Sequence, residues 1–149
     1  MLKVGDPAPE FIQITHQGKS VSLAELRGHK VLLWFFPEAG SPACTTEAKS
    51  FQEHRYYFDE HNVMLLGASF DTIEENAIFA QKLGLDFPLL SDTTRVVALS
   101  YGACQDPKAR YPERISVLID ERGRVMRIYD IVDPRNHAAG VLADLIDSL

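Results

Sequence analysis

The sequence predicts an α/β fold built on a mixed β-sheet, and three features indicate it. The unbroken apolar run VLLWFF at residues 31–36 is typical of a central strand that is covered on both faces. Segments with strand and helix patterns alternate after this run, which favours parallel strand pairing. Nearer the carboxyl end, RISVLID and RVMRIYDIV flank ERG and predict an antiparallel hairpin.

The first half of the chain gives its elements in order. FIQITHQGKSVSL predicts two short strands around a Gln-Gly turn, ahead of the central strand. A helix is expected over about residues 42–60, followed by a strand in VMLLGASF. The next helix should start at the capping-box pattern formed by Thr72 and Glu75 and end at Gly84.

In the second half, FPLL predicts a short strand and residues 93–100 predict a short helix. The carboxyl-terminal hairpin follows. For the last helix, Asp133 and Pro134 are predicted as the N-cap and first helical residue. The helix should pack on one face of the sheet through apolar residues at helical spacing, namely Ala138, Val141, Leu142, Leu145 and Leu149.

Composition narrows the class of protein. The chain has 149 residues, of which 46% are hydrophobic, and it shows no repeat or linker, so a single domain over residues 1–149 is expected. A net charge of -6 with scattered Lys and Arg argues against nucleic-acid binding. The start of the chain lacks a signal-peptide pattern, and no apolar run could span a bilayer, so we expect a cytoplasmic protein without a membrane partner.

The segment FFPEAGSPACTTEA contains one of only two cysteines, Cys44. Ser41 is a favoured N-cap and Pro42 a favoured first helical residue, which places Cys44 in the first helical turn. A thiolate there would face unpaired N–H groups and the positive end of the helix dipole. Alternatively, Cys44 is a small core residue at the head of an apolar helical stripe. Spacing alone leaves both interpretations open.

The stretch from Pro37 through Ser41 to Cys44 resembles the peroxiredoxin active-site signature P-x-x-x-[TS]-x-x-C, and the TTEA that follows resembles the bacterioferritin-comigratory, or Q-type, subfamily. LKVGDPAPEF, VLLWFFP and RISVLIDERGRV are similar to other parts of that family. The resemblance implies a thioredoxin-like fold with an amino-terminal β-hairpin. It also implies a thiol peroxidase for hydrogen peroxide and small organic hydroperoxides that uses no metal, haem or flavin cofactor.

By the same resemblance, Cys44 is the peroxidatic thiolate, which becomes a sulfenic acid on reaction with peroxide. Ser41 would hydrogen-bond the thiolate and the peroxide, Arg114 would add positive charge, and Pro37 would shield the pocket from water. Without the resemblance, an arginine at the start of a strand would be interpreted as a solvated surface charge.

Many Q-type enzymes carry a resolving cysteine five residues after the first, but Lys49 occupies that position here. Cys104 is therefore a candidate resolving cysteine, which would condense with oxidised Cys44 after local unfolding of the first helix. Alternatively, the chain is a one-cysteine enzyme whose sulfenic acid is resolved by an outside thiol. Disulfide formation requires Cα atoms within about 7 Å, which the sequence cannot establish.

The resemblance implies thioredoxin, or a glutaredoxin-like or low-molecular-weight thiol, as reductant, and it leaves monomer and homodimer both open. A thiol-disulfide oxidoreductase is disfavoured because the chain lacks a C-x-x-C pair. A non-catalytic redox sensor or holdase on the same fold is the alternative from another class. His54 and His61 lie near acidic residues without a tight ligand pattern, so we expect surface histidines and no metal site.

Overall fold

The computed structural model describes residues 2–130 and 133–147. The strands are β1 (Ile12–Ile14), β2 (Ser20–Ser22), β3 (Lys30–Phe35), β4 (Val63–Ser69), β5 (Leu89–Ser91), β6 (Ser116–Ile119) and β7 (Val125–Tyr129). The helices are α1 (Pro42–Glu53), α2 (Arg55–Glu60), α3 (Ile73–Leu83), α4 (Val96–Tyr101) and α5 (His137–Asp147), with a short 3-10 helix at Ala24–Leu26.

Five strands form one mixed sheet in the order β5-β4-β3-β6-β7. The pairs β3–β4 and β4–β5 are parallel, whereas β3–β6 and β6–β7 are antiparallel. Strands β1 and β2 form a separate antiparallel hairpin. This arrangement confirms the predicted α/β class, the central position of the VLLWFF strand and the amino-terminal hairpin.

Side chains of β3 alternate between the two faces of the sheet, as the period of a strand requires. Leu32 and Trp34 face a core cluster that also contains buried residues of α1, α2, α3 and α5. Leu33 and Phe35 face a second cluster, which is covered by the amino-terminal segment and α4. The sheet therefore separates two cores.

Two predicted helix limits are wrong. The helix expected over 42–60 is interrupted at His54, whose ring nitrogen Nδ1 lies 2.7 Å from the Ser50 carbonyl oxygen. The last helix begins at His137 instead of after Asp133. The Asp133 carboxylate accepts a hydrogen bond from the Arg135 N–H at 3.1 Å and so closes a turn ahead of the helix. Leu149, predicted in the last helix, lies outside the described residues. So do Ile131 and Val132, predicted at the end of the last strand.

Candidate active site

Cys44 lies in the first turn of α1, directly after the loop that leaves the central strand. Ser41 occupies the N-cap position with extended backbone angles, and its carbonyl accepts a hydrogen bond from the Thr45 N–H at 2.9 Å. Pro42 takes the first helical position, where a missing N–H costs nothing. The predicted local geometry is confirmed, and Cys44 itself is fully buried in the core cluster on the helix-covered face.

Arg114 reaches this buried sulfur from the segment just before β6. Its Nη2 atom lies 3.4 Å from Cys44 Sγ, across 70 residues of sequence. The pairing of β3 with β6 brings the segment beside the start of α1, because the Phe35 N–H donates to the Ile115 carbonyl at 2.8 Å. The contact places a positive charge directly beside the Cys44 sulfur.

Glu47 is a site residue that the sequence interpretation missed. Its side chain is 1% exposed, and its Oε1 atom accepts a hydrogen bond from Arg114 Nη1 at 2.7 Å. Burial raises the pKa of Glu47 to about 7, against the opposing effect of the Arg114 charge. The signal was its position three residues after Cys44, which puts both side chains on one helical face among apolar neighbours.

Ser41 and Pro37 precede Cys44 by three and seven residues, and within the described residues neither is hydrogen-bonded to its sulfur. Ser41 makes no side-chain capping hydrogen bond. Within the described part of the chain, Arg114 supplies the hydrogen bond to the Cys44 sulfur. Gly40, in the loop between Pro37 and Ser41, has φ of 86°, a backbone conformation that favours glycine.

Cys104 lies on the other side of the sheet from Cys44. It follows α4 and belongs to the cluster that contains Leu33 and Phe35, whereas Cys44 belongs to the opposite cluster. Both thiols are free and buried. Burial raises the pKa of the Cys104 thiol, with a further contribution from the nearby Asp92 charge. The fold therefore does not bring the two sequence-predicted cysteines together.

Over 2–130 and 133–147, no group of three or more His, Cys, Asp and Glu side chains is arranged to hold a metal ion. In the same ranges, no helix combines the length and apolar character needed to cross a membrane.

Comparison with known proteins identifies the family. The AhpC/TSA family pattern matches residues 4–128. Peroxiredoxin Bcp of Escherichia coli K12 is 34% identical over 146 residues, covering 95% of this chain and 94% of that protein. The crystal structure of peroxidoxin BcpB from Mycobacterium tuberculosis superposes with a TM-score of 0.91 at 29% identity, covering 99% and 98% of the two chains.

A third relative is the Xanthomonas campestris bacterioferritin comigratory protein, whose structures concern its alkyl peroxide reduction activity. It superposes with a TM-score of 0.89 at 25% identity, covering 99% of this chain and 98% of that one. The family pattern spans most of the chain, and the relatives match it almost end to end. The chain therefore belongs to the AhpC/TSA family and is a peroxiredoxin, an enzyme with the thioredoxin-like fold.

Proposed function

We propose that Cys44 is the peroxidatic cysteine of a thiol-dependent peroxidase that reduces hydrogen peroxide and small organic hydroperoxides. The Cys44 thiolate attacks the terminal peroxide oxygen, so that an S–O bond forms as the O–O bond breaks. The sulfur is oxidised to a sulfenic acid, and the peroxide is reduced to water or an alcohol. The departing oxygen takes its proton from solvent.

One observation carries this proposal: the Arg114 guanidinium lies 3.4 Å from the sulfur of a cysteine that is fully buried. A fully ionised thiol presents only about 30-fold more thiolate at neutral pH than an ordinary cysteine. Ionisation alone is therefore a small part of the acceleration that a peroxidase needs. A fixed cation beside the reacting atoms also stabilises the charge that develops on the leaving oxygen.

Pro37 and Ser41 complete the proposed site. Ser41, at the N-cap, offers a hydroxyl that the helix does not use for capping. That hydroxyl is free to hydrogen-bond the peroxide, while Pro37 limits the access of water to the thiolate. The charged groups Arg114 and Glu47 come from the same chain as Cys44, so the proposal holds for a monomer and for a homodimer.

For the second half of the cycle, we propose that an outside thiol attacks the sulfenic acid. The thiol forms a mixed disulfide with Cys44 and releases water, and a further thiol then frees the enzyme. Cys104 packs on the face of the sheet opposite to Cys44, which favours this route over an internal disulfide. Thioredoxin, a glutaredoxin-like protein or a low-molecular-weight thiol has the required chemistry. Alkyl hydroperoxides are included because the Xanthomonas relative is described by its alkyl peroxide reduction activity.

The test is peroxide consumption by the native protein and by Cys44→Ser, with dithiothreitol as the reductant and Cys104→Ser as the matched control. We expect Cys44→Ser to fall to the uncatalysed rate and Cys104→Ser to keep nearly full activity. Full activity in Cys44→Ser would contradict the proposal. A sulfenic acid that forms but that no thiol reduces would favour the redox sensor instead.

A further inference from the structure

The loop that leads into α1, residues 37–41, is tied to the rest of the fold by Asp71. This aspartate follows β4, and its Oδ2 atom accepts a hydrogen bond from the Ala39 N–H at 2.9 Å. Over the described ranges, 2–130 and 133–147, this is the one hydrogen bond between the first four loop residues and another segment. The bond therefore joins the loop to the segment that follows β4, in addition to the packing of Ala39 against the core.

The loop conformation leaves the Ala39 N–H free for this bond. The Ser41 N–H donates to the Glu38 carbonyl at 3.2 Å and closes a four-residue turn. Gly40, at the third position of the turn, has φ of 86°, the value that a type II turn requires there. The turn does not use the N–H of its second residue, Ala39, which donates to the aspartate instead.

Asp71 is itself held by a buried polar network. Its backbone N–H donates to Ser69 Oγ at 3.3 Å, and the same oxygen accepts from Asn76 Nδ2 at 3.2 Å. Asn76 Nδ2 also donates to Ser91 Oγ at 3.0 Å. The three side chains are buried and belong to β4, α3 and β5. Because buried, fully paired polar groups are rigid, the network fixes the backbone from which the Asp71 carboxylate extends to the loop.

We propose that Asp71 is a positioning residue of the peroxidase site, which sets the place of Pro37 and Ser41 relative to Cys44 through the Ala39 N–H. The inference rests on the proposed peroxidase function. Its physical basis is that a displacement of about 1 Å in groups around the reacting atoms can cost a large factor in rate. Asp71 would affect the reaction with peroxide without touching the peroxide.

The first test compares Asp71→Ala with Asp71→Asn, whose amide oxygen can still accept the hydrogen bond. We expect Asp71→Ala to lower the second-order rate constant for hydrogen peroxide about tenfold, and Asp71→Asn to stay within about twofold of the native enzyme. The control is Asp120→Ala. Asp120 accepts the Arg122 and Arg124 N–H groups at 2.9 Å in the β6–β7 turn, at the opposite end of β3.

A second variant removes the donor instead of the acceptor. Ala39→Pro deletes the N–H, and proline is favoured at the second position of a type II turn, so the turn itself is preserved. We expect the same roughly tenfold loss as in Asp71→Ala. This variant keeps the inference testable if the alanine substitution at Asp71 prevents folding.

A parallel measurement separates positioning from general loss of structure. Alkylation of Cys44 by iodoacetamide needs the thiolate but not the surrounding peroxide site. We expect the alkylation rates of Asp71→Ala and Ala39→Pro to stay within about twofold of the native rate while the peroxide rates fall. Native peroxide rates in both variants, or equal losses in both reactions, would overturn the inference. A native enzyme that does not react with peroxide would instead overturn the proposed function.

Discussion

Arg114 donates to two groups at once, the Cys44 sulfur at 3.4 Å and the Glu47 carboxylate at 2.7 Å. The shorter, charge-assisted bond to Glu47 fixes the guanidinium beside the sulfur. Glu47 therefore orients the cation that the reaction uses, although it does not itself bond to the thiol in this structure. Its second oxygen, Oε2, is buried and has no hydrogen-bond partner among the residues that the structure describes.

We expect Arg114→Ala to lower the rate constant for peroxide about 100- to 1,000-fold, which is the usual cost of losing one preorganised donor. The measurement is stopped-flow fluorescence of Trp34, which lies in the same core cluster as Cys44. Arg127→Ala is the matched control, because Arg127 is an exposed arginine that forms a long ion pair of 3.9 Å with Asp144. A native rate in Arg114→Ala would mean that the contact has no catalytic role.

The buried carboxyl of Glu47 also makes stability depend on pH. Burial raises its pKa from 4.5 to about 7, although the Arg114 charge opposes the shift. Protonation therefore favours the folded state: this contribution is complete below about pH 4.5 and is lost as the pH rises through about 7. In Glu47→Gln, a neutral isostere, the contribution is absent.

From about pH 5 to about pH 8, the native free energy of unfolding should accordingly fall by ~2 kcal/mol more than that of Glu47→Gln. Urea unfolding at the two pH values measures this difference. Glu74→Gln, on the exposed surface of α3, serves as control and should keep the native slope. Equal slopes for the native protein and Glu47→Gln would show that the carboxyl does not titrate as described.

At the scale of elements, a short sequence pattern predicted the structure correctly where it is compatible with one local conformation. Thr72 and Glu75 form the capping box that their spacing indicated, with both reciprocal bonds present. Asp133 was misassigned because an aspartate ahead of proline can cap either a helix or a tight turn, and both use the same carboxylate–N–H bonds. Glu47 was missed because its partner lies 67 residues away and only strand pairing brings them together.

The packing of β4 against its neighbours depends on Gly67, which pairs with Trp34 of β3 and Leu89 of β5. A Cβ added there would lie 2.6 Å from Leu89 Cδ2 and 3.1 Å from ring atoms of both Phe36 and Trp34. We expect Gly67→Ala to destabilise the protein by about 1 to 3 kcal/mol, the usual cost of overpacking a core. Thermal or urea unfolding measures this effect.

Gly140→Ala is the matched control for this prediction. Its added Cβ in α5 would meet no atom of the described residues within 4 Å. It should stabilise the protein by up to about 1 kcal/mol through helix propensity. Unchanged stability in Gly67→Ala would mean that the surrounding side chains can move aside.

At the scale of the whole molecule, the mixed sheet decides which thiols can react with each other. Sequence predicted the strand and the helix start that carry Cys44, because apolar runs and caps are local features. It could not place Cys104, since the face on which a residue packs depends on the path of the chain after α4. In the fold, Cys44 and Cys104 belong to separate clusters on opposite faces of the sheet.

A disulfide between the two cysteines would need their Cα atoms to approach within about 7 Å, which would require one thiol to leave its core. We therefore expect one equivalent of hydrogen peroxide to give a trappable sulfenic acid both in the native protein and in Cys104→Ser. Intact-mass analysis with a sulfenic-acid trap distinguishes the routes. A loss of about two mass units in the native protein, replaced by a trapped adduct in Cys104→Ser, would instead mean that Cys104 is the resolving thiol. In that case the first turn of α1, or the segment after α4, must unfold during every catalytic cycle.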